Sequence, residues 1–483
     1  MGHRVSAWRP VLAGLGGALV AAAAVGLAPG RGGGCERGSG LCPPGAEVLP
    51  PAGFAGLVLG AVLLVAAFLA KGPRTTRVVA AGLCAALALP GSWVALDRTP
   101  AGPAVVRPAW SAPADQPAGT RAVAVWQDAG TVVRVRADRF DAYRARSGEQ
   151  AWTLDAPPRL AVCAASPTPF DGVAAVAYGR SAGPCEQLAA VDLRTGRELW
   201  RREGVRSSVV ELAGPGTVVV LDGERLAAFA LRDGTPVWTA APTAGCRFRA
   251  LAASAARVAA VEYCVPPGTE ANAGSTWLRA FDPAGGVLWR TDLRAASEPA
   301  RLDVLAADPP VVHLAESDAR GIQAVLSFGA ADGVLRATVP VSSPDYQLSL
   351  NRRLFRFTPV RPAAVAGDLL VAAATRPGEG DSRAVVAHSL ADGSRVWARR
   401  LEGEVRAVAG TPDGPIVAVE PGRDPGVVVH RLNRADGRSA ERTGLRGANL
   451  SYAFWLGRAD DRYVIVHEDG TGATAPLLGA PRR

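Results

Sequence analysis

A chain of 483 residues, 48% of them hydrophobic, is too long for one small domain and has enough apolar material for a large core. Its formal net charge is +9, but residues 1–98 hold eight basic and three acidic side chains, so the rest carries +9 − 5, or +4. That balance excludes an electrostatic nucleic-acid binder.

The first hundred residues contain three uncharged apolar runs, at about 10–30, 51–70 and 78–96. Each has the ~20 residues that a helix rising ~1.5 Å per residue needs to cross a bilayer, so three transmembrane helices are expected. Arg4 and Arg9 precede the first run, and Lys71, Arg74 and Arg77 lie between the second and third. Positive short loops stay inside, which places 31–50 and everything after the third run outside the cytoplasm. The first run also admits a reading as a cleaved signal peptide, with the same topology. Residues 1–98 are thus expected to form a membrane anchor.

Six of the seven cysteines fall in the segments assigned to the outside, as Cys35 with Cys42, Cys163 with Cys185, and Cys246 with Cys264. In an oxidising compartment such near pairs read as disulfides, and none has the C-x-x-C spacing of a zinc site. Cys84, inside the third run, reads as a small packing residue.

Residues 99–121 are rich in proline, alanine and glycine and read as a linker, with Trp110 as the exception that needs a place to dock. From 122 onward one figure keeps returning. "AVDLRTGRELW" (190–200) is its fullest copy, and it recurs at 142–152, 228–238, 280–289 and 387–397, with Trp152, Trp200, Trp238, Trp289 and Trp397 at the ends. Two decayed copies end in Ala337 and Glu441. The turn glycines are Gly148, Gly196, Gly234, Gly285, Gly333, Gly393 and Gly437, spaced on average by (437 − 148)/6, about 48 residues. Periods of that size mark solenoids or propellers.

The content of one period decides between them. Residues 208–240 divide into "VVELAG", "TVVVLD", "RLAAFAL" and "TPVWTA", four short strands separated by glycine turns. Four strands per unit make a propeller blade. In the figure, glycine permits a positive φ at the turn between the third and fourth strands. Tryptophan packs against the neighbouring blade and bonds a backbone carbonyl there. The alanine ten residues before it keeps the third strand slim. Cys246 begins the first strand of its blade and Cys264 ends the second, which sets them opposite each other; Cys185 is placed in a loop.

The figure closely resembles the tryptophan-docking repeat of the quinoprotein, or pyrroloquinoline-quinone-like, β-propeller family, whose pattern is A-x-D-x-x-T-G-x-x-x-W. That resemblance covers about 105–483 and implies an all-β propeller, usually of eight blades. Seven figures are visible. The eighth blade is expected from "YAFWLGRA" (452–459), "RYVIVHED" (462–469) and "ATAPLLG" (473–479), completed by "VVRPAWSA" (105–112) from the other end of the chain. Such closure removes the free sheet edge. Seven blades are the alternative.

One branch of the family comprises dehydrogenases that bind the quinone and calcium on the propeller axis. Its enzymes resemble one another in an adjacent Cys-Cys pair and long insertions, and this chain has neither. Five single histidines, and the lack of G-x-S-x-G, H-E-x-x-H or kinase motifs, leave no catalytic residues to name. The expectation is therefore a membrane-anchored extracytoplasmic propeller that binds another membrane or cell-surface protein as a scaffold or sensor. It would have no metal or cofactor and no chemistry of its own. The alternative is a quinone-dependent dehydrogenase of alcohols or sugars.

Overall fold

The computed structural model describes residues 104–116 and 121–481, apart from 181–182, 208, 215, 266–267, 269–273, 296, 319, 351–361, 422–425, 447–453, 460, 469–474 and 476. The three apolar runs and the Cys35 and Cys42 pair lie outside these residues. Among the described residues no helix is long and apolar enough to cross a membrane. The chain divides into two compact units, Met1–Val105 with Pro421–Asp424, and Val106–Glu420 with Pro425–Arg483. The second carries the blades.

That unit is all β, in eight antiparallel sheets. Blades 1 to 7 follow the chain. Blade 1 is Ala122–Asp128, Thr131–Arg136, Arg139–Arg144 and Gln150–Asp155. Blade 2 is Ala161–Ala165, Val173–Gly179, Cys185–Asp192 and Arg197–Glu203. Blade 3 is Val210–Ala213, Thr217–Asp222, Arg225–Ala230 and Pro236–Ala240. Blade 4 is Cys246–Ala253, Val258–Cys264, Ser275–Phe281 and Val287–Asp292. Blade 5 is Pro299–Ala307, Pro310–Glu316, Gln323–Phe328 and Leu335–Pro340.

In blade 6 the first strand is split into Gln347–Ser349 and Ala363–Ala366, both paired with Leu369–Thr375, and Ala384–Ser389 and Arg395–Arg400 follow. Blade 7 is Glu404–Ala409, Ile416–Glu420, Gly426–Leu432 and Ser439–Arg446. Blade 8 takes Phe454–Ala459, Arg462–His467 and Leu477–Pro481 from the C-terminus and its fourth strand, Trp110–Ser111, from the N-terminal side. Trp110 pairs with Gly479 and Ser111 with Leu478.

The first strands of blades 1 to 8 touch in succession. The Gln127 amide of blade 1 closes the circuit by donating to the Arg458 carbonyl of blade 8. Burial follows the same order. The second strands are buried on both faces, as in Val173–Gly179 and Pro310–Glu316, whereas the fourth alternate, as in Arg197–Glu203. A strand covered on both faces reads as an unbroken apolar run, and a strand with one wet face reads as an alternation.

Between the blades lie eight separate apolar clusters, one per junction. One sets Val133 and Phe140 of blade 1 against Val176 and Tyr178 of blade 2, and another sets Val132 and Tyr143 of blade 1 against Val464 and Val466 of blade 8. No single centre holds the ring. Its cohesion is the sum of eight junctions.

Two disulfides staple single blades. Cys246 and Cys264 face each other in register across the first two strands of blade 4. Cys163 bonds Cys185 in blade 2. Cys185 begins the third strand, which corrects the loop expected from the sequence. Cys163 sits in a bulge of the first strand, and Gly179 lets the chain at Pro184 and Cys185 cross closely, since a Cβ there would come 2.9 Å from the Pro184 carbonyl carbon.

Candidate functional site

The residues singled out by the repeat converge on the junctions. In six of them an indole N-H donates to a carbonyl of the next blade: Trp110 to Ala145 at 2.9 Å, Trp152 to Leu193 at 2.9 Å, Trp200 to Leu231 at 2.8 Å, Trp238 to Pro283 at 3.0 Å, Trp289 to Ala330 at 3.0 Å and Trp397 to Arg434 at 2.7 Å. The same indoles lie on Gly148, Gly196, Gly234, Gly285, Gly333 and Gly437, two or three residues beyond each acceptor. A Cβ on Gly234, for example, would stand 2.6 Å from Cδ2 of Trp200.

These glycines meet two demands at once. Gly196 and Gly234 turn with φ of +72°, where a side chain is strained, and each also forms the floor under a neighbour's indole. The alanine of the figure has a matching task. Ala142, Ala190, Ala228, Ala280 and Ala387 are the cross-strand partners of the tryptophans in their own blades, and Gly479 is the partner of Trp110. A small residue there lets the indole lie across its own sheet toward the next one.

Two junctions lack the indole. Between blades 5 and 6 the position is Ala337, and the backbone of Thr338 lies against Gly393 instead. Between blades 7 and 8 it is Glu441, whose carboxylate accepts the Tyr463 hydroxyl proton at 2.8 Å. Sequence reasoning passed over Trp126, which is fully buried in blade 1, stacks on Phe140 and donates to the Ser166 carbonyl of blade 2 at 2.7 Å. A tryptophan in an inner strand outside the figure was the available signal.

The buried ionisable groups are committed to the fold. Asp115, from the segment that closes the ring, meets Arg134 and, at 3.2 Å, Arg136 of blade 1; all three are buried. Arg134 also donates to the carbonyls of His467 and Glu468 in blade 8. The Pro- and Ala-rich sequence around Asp115 gave no hint of this clasp. Glu262, fully buried in blade 4, takes Arg279 at 3.2 Å and Arg290 at 3.0 Å and accepts from Thr243. The Glu316 carboxylate accepts the Ser297 amide at 2.6 Å and the Ser297 hydroxyl at 3.0 Å.

His430 and Ser439 have the outward form of a base and nucleophile, with Nδ1 and Oγ 2.8 Å apart. Burial and the nearby Arg442 push the His430 pKa down to about 4, a weak base at neutral pH, and burial beside Arg134 does the same to His467. The described cysteines form cross-strand disulfides rather than a vicinal pair, and the grouping Cys246, Glu262 and Cys264 has both sulfurs in a disulfide and its carboxylate on two arginines. Calcium asks for converging oxygen ligands, which that grouping does not offer.

The outer edge differs from blade to blade. The fourth strands of blades 2 to 6 expose aliphatic side chains just before the docking position, among them Leu199, Val237 and Val396. Blades 4 and 5 expose two each, Val287 with Leu288 and Val334 with Leu335. Trp289 seated on Gly333 joins these two blades beside Val334.

Residues 95–265 match the family model for PQQ-type repeats described as outer membrane protein assembly factor BamB. Over that stretch the chain is similar to PQQ-type repeats, and its fold is an eight-bladed β-propeller. Among solved structures the chain is similar to BamB from Moraxella catarrhalis, with 18% identity, a TM-score of 0.46, and coverage of 79% of this chain and 98% of that one. It is similar also to the quinohemoprotein alcohol dehydrogenase from Comamonas testosteroni, with 12% identity, a TM-score of 0.47, and coverage of 78% and 76%. A third is Sqt1 from Saccharomyces cerevisiae, with 10% identity, a TM-score of 0.47, and coverage of 78% and 99%. No curated protein matches the chain.

Proposed function

We propose that this PQQ-like propeller is a non-catalytic platform for a protein partner, held on the outer side of a cell membrane and working without quinone or calcium. The observation that carries the reading is the edge of blades 4 and 5. Outermost strands present unpaired N-H and C=O groups, and proteins ordinarily guard such edges with charge. Blade 2 does so with Arg197 and Arg201. Blades 4 and 5, beside Arg290 and Arg336, expose two aliphatic side chains each, Val287 with Leu288 and Val334 with Leu335.

Adjoining edges with aliphatic side chains suit a partner that adds backbone pairing and buries those groups. The description of the matching family model, an assembly factor of the outer membrane, agrees with a protein partner. The disulfides agree with an oxidising compartment, and the apolar runs before residue 98 supply the anchor.

The test is photo-crosslinking in intact cells, with a photoreactive residue in place of Leu288 or Leu335, and in place of the exposed Arg197 or Arg438 as controls. A discrete adduct from the first two positions and none from the controls supports the platform at this edge. The same adducts from all four positions, or none from any, would remove it.

A further inference from the structure

The junction between blades 5 and 6 departs from the others twice. At the end of the third strand, opposite the start of the fourth, other blades place Tyr143, Val191, Phe229, Phe281, Phe328 or Leu432. Blade 6 places His388 there, opposite Arg395. The neighbouring blade carries Ala337 where a docking indole would stand. The junction thus lacks an indole and carries an imidazole in place of an apolar side chain, and a cleft of about 310 Å³ lies at it.

The cleft is lined by Ser343, Asp345, Tyr346, His388 and Arg395, with Pro340 and Leu348 as its apolar part. The guanidinium of Arg395 lies 5.5 Å from the centre of the Tyr346 ring, and that of Arg376 lies 5.6 Å from it. Arg376 donates to the Tyr346 hydroxyl at 3.2 Å and forms no ion pair with a described carboxylate. Arg395 is paired with Asp345 at 2.9 Å, but both are exposed, at 45% and 61%. An ion pair so open to water contributes little. His388 Nδ1–H donates to the Gly393 carbonyl at 3.1 Å, so the neutral ring lines the cleft without a donor for an anion.

We propose that this cleft binds a small oxyanion, a carboxylate or a phosphate, held by Arg395 in the field of Arg376 and displacing the Asp345 side chain. A guanidinium suits such a ligand because its planar N-H groups match two oxygens at once. The inference is independent of the blade 4 and 5 edge.

The test is calorimetric titration of the full-length protein in detergent with inorganic phosphate and, separately, with succinate. One of the two should bind saturably, and which one does so identifies the class. Arg395→Gln should weaken that binding by roughly tenfold or more, since it removes the charge-assisted bonds. Asp345→Asn should tighten it, because the internal competitor is gone. Arg438→Gln, at an exposed arginine of blade 7, should leave it unchanged. Opposite signs for two neighbouring substitutions cannot arise from general loosening of the blade. Absence of saturable heat with both anions would overturn the proposal, and so would a shift in the same direction for Arg395→Gln and Asp345→Asn.

Discussion

The indole of Trp110 lies on Gly148 across the point where the two ends of the propeller meet. A Cβ on that glycine would stand 2.5 Å from the indole Cγ, and the indole N-H reaches the Ala145 carbonyl three residues earlier. The contact repeats the one that Trp200 makes with Gly234, although Trp110 belongs to a segment far from blade 8 in sequence. The closing strand is therefore locked by the same device as its neighbours.

Truncation of a docking tryptophan should cost about 3 to 5 kcal/mol, as for other large-to-small core changes. Trp200→Ala and Trp110→Ala should both lower the melting temperature. Trp110→Ala should in addition make the N-terminal segment an early site of proteolysis, because Ser111 and Asp115 then hold it with little help. Equal protease resistance in the two variants would speak against a closing role for Trp110.

The double demand on the turn glycines separates in a matched pair. Gly204 and Gly234 have φ of +78° and +72°, but nothing lies within 4 Å of a Cβ on Gly204, whereas Trp200 lies under one on Gly234. Gly204→Ala should cost about 1 to 2 kcal/mol for the left-handed backbone. Gly234→Ala should cost a further ~1 to 3 kcal/mol for displacing the indole. Denaturant midpoints measure both, and the extra cost should largely disappear in a Trp200→Ala background.

The Asp115 clasp makes a separate prediction. Asp115→Asn keeps the shape but leaves Arg134 and Arg136 buried without that charge partner, and breaking such a pair typically costs about 3 to 5 kcal/mol. Urea denaturation should register a loss of that order, against a small effect for Asp381→Asn at an exposed pair with Arg383. Similar small losses at both positions would show that the clasp is not a fastening.

Acid should weaken the ring through its buried histidines. His430 and His467 have pKa values of about 4 in the fold, below the ordinary 6.5. The unfolded chain therefore takes up protons first as the pH falls. The stability they contribute is full above 6.5, is lost progressively between 6.5 and 4, and changes no further below that, a loss on the order of a few kcal/mol for the two together. Denaturation midpoints measured from pH 7 to 4.5 should fall accordingly. The variant with His430→Gln and His467→Gln should show a flatter profile, and an unchanged slope would assign the acid sensitivity elsewhere.

The blades were legible because their signal is local. Glycine, alanine and tryptophan sit within eleven residues, and the strand alternation around them is short and repeated; the parse of residues 208–240 falls within about a residue of Val210–Ala213, Thr217–Asp222, Arg225–Ala230 and Pro236–Ala240. What the sequence did not disclose depends on contacts between copies. The indole over each turn glycine comes from 34 to 47 residues away, as 234 − 200 and 285 − 238 show, so the glycine reads as a turn residue alone. Asp115 looked like part of a linker because both of its arginines lie on another blade. His388 looked like a single strand histidine until its register set it beside its counterparts in the other blades.

A propeller that serves as a platform for a partner needs no quinone. Calorimetric titration of the full-length protein with pyrroloquinoline quinone, with and without calcium, tests that most directly. A platform for a protein partner predicts no saturable heat in either condition. Saturable, calcium-dependent binding of micromolar or tighter affinity would contradict it and make the propeller a candidate dehydrogenase.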